Sequence, residues 1–143
     1  MAARRDGETA RWHDTLLREG VLAGLGDGQL VEQFLARPGE AGGLAFEALV
    51  RRHGPMVLAV CRGVLRDAHD AEDAFQATFL VLARRAATIR DRDRLAVWLA
   101  RTARRIAVRS RGEALDREAV ERRREAVDGT APVVAALVAA ESS

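Results

Sequence analysis

Two groups of side chains in this 143-residue chain have the type and spacing to do chemistry, and both suit binding rather than bond-making. The first is basic. All 23 Lys+Arg residues are arginine, and they are unevenly placed. Residues 84–111 carry ten Arg against only Asp91 and Asp93, whereas the segments before and after are net acidic. The overall charge of +2 therefore conceals a strongly cationic block. A genome rich in G and C explains arginine in place of lysine but not the clustering. Such a block is the electrostatic footprint of a polyanion-binding surface.

Within it, Arg90, Arg92 and Arg94 lie on a connector over 86–94, and a long helix is predicted from about Leu95. At about 100° per residue, Arg101, Arg104, Arg105, Arg109 and Arg111 share a solvent face. Leu95, Leu99, Thr102, Ala103, Ile106 and Ser110 share the opposite one. Trp98 falls on the seam between them. It reads either as a packing residue or as an indole on which an unpaired base stacks while arginines neutralise phosphates. The second group is acidic. Asp70, Glu72, Asp73 and Gln76 occupy one exposed turn at the start of a predicted helix, where the helix dipole favours negative charge. Dipole complementation alone accounts for it, or the turn docks a basic partner.

No other residues form a catalytic or metal-binding set. The glycines at 24, 26 and 28 follow no strand, so no phosphate-cradling loop is read there. His13, His53 and His69 are scattered, and Cys61 sits in an apolar stripe as a small core residue. Neither an enzyme nor a bound cofactor or metal is expected. A single cysteine excludes an intrachain disulfide and suits a reducing cytoplasm. No apolar run approaches about 18 residues, the length of a transmembrane helix.

The elements that must position these groups are all helical; no period-2 strand pattern and no internal repeat occur. Residues 1–26 read as a leader with a short helix around Thr15–Leu25, carrying Leu16, Leu17, Val21 and Leu25. Asp27 reads as the N-cap of a helix with Leu30, Val31, Phe34 and Leu35, ended by Arg37-Pro38-Gly39. Leu44–Arg52 forms the next, with His53-Gly54-Pro55 breaking or kinking it before a helix through Met56, Val57, Val60, Cys61, Val64 and Leu65. Asp70 is expected to cap a helix that buries Ala71, Ala74, Phe75, Thr78, Phe79 and Leu82. Gly112 and Asp128-Gly129 are expected to interrupt and stop the last helix, leaving an apolar tail at Val133–Ala140.

Three segments together resemble region 2 of the extracytoplasmic function (ECF) sigma factors of the sigma-70 family: Phe46–Val57 (FEALVRRHGPMV), Arg66–Leu80 (RDAHDAEDAFQATFL), and Trp98-Leu99 with Ala103 and Arg104. The resemblance spans about residues 27–111, and the DAED-x-x-Q-x-x-F spacing is its most specific part. It implies a compact all-α helical bundle that binds RNA polymerase core and opens promoter DNA in transcription initiation. By resemblance, Asp70, Glu72, Asp73, Gln76 and Phe79 dock on the clamp coiled coil of the polymerase β′ subunit. Arg90, Arg92, Arg94, Trp98, Arg101, Arg104, Arg105 and Arg109 handle the single-stranded non-template strand of the −10 element; an anti-sigma factor is a possible further partner.

The run Trp98-Leu99-Ala100-Arg101-Thr102-Ala103-Arg104-Arg105 departs from the family's W-L-Y-R-I-A-R-N by lacking the second aromatic and the asparagine. Residues 112–143 read as a charged helical extension and tail, too short for the family's second DNA-binding domain, region 4. The alternative expectation is thus a truncated region 2 fragment that occupies polymerase or an anti-sigma protein without initiating transcription.

Overall fold

The computed structural model describes residues 20–141, and the expected helix positions Leu16 and Leu17 lie outside them. Four α-helices follow a helical turn at 20–23: α1 (Asp27–Ala36), α2 (Glu40–Val64), α3 (Ala68–Arg85) and α4 (Leu95–Glu141). Two 3-10 turns, Ala86–Thr88 and Arg92–Arg94, connect α3 to α4. The described residues contain no strand, so the all-α expectation holds.

The core follows from the apolar stripes. Leu30 and Val31 of α1, Leu49, Val57 and Cys61 of α2, Leu82 of α3, and Leu95, Leu99, Ala103 and Ala107 of α4 are fully buried. Alanine at 103 and 107 lets α4 lie close against α2 and α3. All four phenylalanines join one aromatic chain across α1, α2 and α3. Phe34 meets Phe46 at 5.1 Å, Phe46 meets Phe79 edge-on at 6.5 Å, and Phe79 meets Phe75 at 5.1 Å. Buried Thr78 and Thr102 donate their hydroxyls to the carbonyls of Ala74 and Trp98 one turn earlier, so neither burial leaves a polar atom unpaired.

Several boundaries differ from the sequence expectation, each for a local reason. Gly26, not Asp27, is the N-cap of α1, with its N–H donating to Gln29 Oε1 at 2.9 Å. Asp27 is claimed by tertiary partners instead. Its Oδ1 accepts from Arg52 Nη1 at 3.0 Å and lies 2.8 Å from His53 Nε2; a carboxylate only accepts, so that imidazole nitrogen carries the proton. Arg52 also donates to the carbonyls of Leu22 and Ala23, fastening the preceding turn to α2. In that turn Leu22 is buried and Val21 exposed, the reverse of the expected facing.

Arg37-Pro38-Gly39 does end α1, and Gly39 supplies the positive φ of 88° that the reversal into α2 needs. Yet α2 continues unbroken through His53-Gly54-Pro55. Proline removes one ladder bond, but the helix is held on both sides of it, by buried His53 on Asp27 and by buried Val57. Gly54 leaves room for the Phe75 ring, whose nearest carbons would be 3.6 Å from a Cβ there.

Asp67, not Asp70, caps α3, accepting from the backbone N–H groups of His69 and Asp70 at 2.8 and 3.1 Å. Nor do Gly112 and Asp128-Gly129 stop α4, which runs 47 residues. A helical glycine costs only about 1 kcal/mol, and the Arg109–Glu113 and Glu118–Arg122 pairs lend one-turn support across the charged stretch.

Leu99 sits at the centre of the α4 stripe with no exposed surface. Leu99→Ala is expected to cost about 2–5 kcal/mol of stability, read as a lowered midpoint in urea unfolding followed by circular dichroism.

Candidate nucleic-acid interface

The connector that carries the first arginines is a built structure. Ala86 and Ile89 are buried, the N–H of Ile89 donates to the carbonyl of Ala86, and Thr88 Oγ1 donates to that of Arg85 at 2.7 Å. Arg94 N–H closes the second turn on Asp91 O at 3.2 Å. α1 packs behind both 3-10 turns. The connector therefore stands as a wall facing α4, and the C-terminal turn of α3 stands beside it.

Between these three lies an open groove of about 580 Å³. Arg85 of α3, Arg90 and Arg94 of the connector, and Arg101 and Arg105 of α4 line it, together with half-buried Trp98; Asp91 is the one acid. All five arginines are exposed, and none forms an ion pair among the described residues. Val81, Ile89, Val97 and Ile106 supply apolar lining around the indole. Guanidiniums above an aromatic and apolar lining are what a strand of unpaired nucleotides needs: charge for phosphates and a flat surface for bases.

Of the eight basic and aromatic residues singled out in the sequence, the fold thus gathers Arg90, Arg94, Trp98, Arg101 and Arg105 on one groove. Arg92, Arg104 and Arg109 stand elsewhere. Arg92 folds back so that its Nε donates to Ile89 O at 3.3 Å, and it faces the α1 side of the connector. Arg104 is exposed but lies outside the groove lining, and Arg109 pairs with Glu113 at 3.6 Å. Arg85 was missed. Its only signal in the sequence was membership of the basic block, because its groove role depends on where the end of α3 meets α4.

The acidic turn lies at the other end of α3. Glu72, Asp73 and Gln76 are exposed, and Asp70 is partly covered. Phe79 differs from the docking role that resemblance gave it: at 5% exposure it belongs to the aromatic chain and holds α3 onto α2. Thirteen residues separate Glu72 from Arg85, about 20 Å along the axis, so the acidic and basic surfaces do not compete for the same space. Among the described residues no three His, Cys, Asp or Glu side chains converge as metal ligands. No helix is long and apolar enough to cross a membrane.

Residues 49–114 match the family of Sigma-70 region 2. The match takes in all of α3, the connector and every groove residue, together with most of α2 and the bundle-bound part of α4. No curated protein and no solved structure matches the chain.

Burial pushes the Cys61 thiol above its ordinary range. Because the thiolate is the reactive form, the folded protein at pH 8 is expected to alkylate with iodoacetamide many-fold more slowly than the urea-unfolded chain. Mass spectrometry against time checks this, and equal rates would contradict the burial of Cys61.

Proposed function

We propose that this chain is a sigma-like factor for transcription initiation, of the ECF type, acting in the cytoplasm through two contacts and no covalent chemistry. The acidic turn of α3 engages RNA polymerase core at the β′ clamp coiled coil. The groove receives the non-template strand of the −10 element once the duplex parts.

The observation that carries this reading is the groove itself. Five unpaired arginines and one half-buried indole face a common space inside the segment that matches Sigma-70 region 2. Opening a duplex and unstacking a base costs a few kcal/mol. Stacking on an aromatic returns about 1–3 kcal/mol per base, and phosphate neutralisation adds a salt-dependent share. The groove joins both contributions, so it favours the open strand over the closed duplex. Arg104 and Arg109, outside the groove on the same solvent-exposed length of helix, add general attraction for the backbone. The missing second aromatic and asparagine in the Trp98–Arg105 run leave Trp98 as the one aromatic side chain there for stacking.

Run-off transcription with core polymerase on a promoter selected from random DNA tests the function: chain-dependent transcripts are expected, and their absence despite tight core binding would leave only an interaction module. Single-strand binding tests the groove. If five arginines meet phosphates, log affinity for oligo-dT falls with log salt at a slope of about −3.5. Arg101→Ala with Arg105→Ala is expected to flatten it to about −2.1, and an unchanged slope would remove those two residues from the interface.

A further inference from the structure

The outward face of α3 has an order that the acidic turn alone does not convey. His69, Asp73, Gln76, Leu80 and Arg84 follow one another at steps of three or four residues, and all five are exposed. Ala71, Ala74, Thr78 and Leu82 occupy the opposite, buried side. Steps of three and four are the spacing of a seam between paired helices, where each seam residue faces a partner. Leu80 lies at the middle of the seam with 60% of its surface exposed. It points almost directly away from the core, and polar residues precede and follow it along the seam. The Asp73 carboxylate, about 10 Å toward the N-terminal end, and the Arg84 guanidinium, about 6 Å toward the C-terminal end, form no ion pair among the described residues.

We infer that Leu80 is the apolar anchor of a helix-on-helix contact with the polymerase coiled coil, and that Asp73 and Arg84 fix the direction and register of the partner helix. This rests on the polymerase-binding reading above and deepens it. The complementary helix carries a basic side chain opposite Asp73, an apolar hollow opposite Leu80 and an acid opposite Arg84. Running the partner the other way sets like charges against each other at both ends, which is how charged seam residues select orientation. The apolar centre supplies the desolvated contact that dominates affinity in such interfaces, while the charged ends reject wrong alignments. The face is separate from the nucleic-acid groove: Arg85, one residue beyond Arg84, already turns toward the groove.

The test is the affinity of the full chain for purified core RNA polymerase. Leu80→Asp is expected to weaken binding about ten-fold or more, with unfolding midpoint and single-strand affinity unchanged, because the side chain is outside both core and groove. Val108→Asp, an equally charged change at an exposed position on α4, serves as the control and is expected to bind as the parent does. Asp73→Arg and Arg84→Glu are each expected to weaken binding several-fold. If Asp73→Arg weakens binding while Leu80→Asp does not, the anchor is refuted and the polymerase reading stands. If the parent chain itself fails to bind core, both fall. Loss of folding in Leu80→Asp would also overturn the inference, since it would place Leu80 in the core.

Discussion

The architecture depends on a narrow buried stripe along the first half of α4. Leu95, Leu99, Ala103 and Ala107 have no exposed surface, and they seat α4 against α2 and α3. With that stripe fixed inward, helical geometry leaves Arg101, Arg104, Arg105 and Arg109 facing water. The small alanines matter as much as the leucines. They permit a close approach, which brings the end of α3 near enough for Arg85 and Val81 to share a groove with Trp98 and Arg101.

A second constraint is the fastening of α1 to α2. One carboxylate oxygen of Asp27 serves both Arg52 and His53, and Arg52 reaches on to two backbone carbonyls before α1. α1 in turn backs the connector, so this polar node acts at a distance on the wall that bears Arg90 and Arg94. The groove is thus supported from two sides by interactions that contain none of its own charged groups. Its arginines remain available because the bundle is stable without them.

Placing opposite charges at the two ends of α3 also follows from elementary electrostatics. Carboxylates favour the N-terminal turn of a helix and arginines the C-terminal one, and α3 has Asp70, Glu72 and Asp73 at the start and Arg84 and Arg85 at the end. The same polarity keeps an anionic strand and a partner's basic side chains on different surfaces. One helix can therefore link two macromolecules without bringing their charges into conflict.

The helical class, the buried stripes, the start of α4 at Leu95 and the acidic and basic surfaces were legible in residue spacing, because amphipathic periodicity is written directly in the chain. The caps and breaks were not. Asp27 and Asp70 have the chemistry of caps, but Arg52 and His53 engage one, and Asp67 caps the helix ahead of the other. Pro55, Gly112 and Gly129 have the chemistry of breakers, yet tertiary packing on α2 and sequence-local ion pairs on α4 outweigh costs of one bond or about 1 kcal/mol. What the sequence by itself determined was which faces are apolar and where charge accumulates, since both depend on one residue and its helical neighbours. Only the tertiary structure decided which arginines converge around Trp98 and that Phe79 is interior, because both depend on how three helices and a connector meet in space.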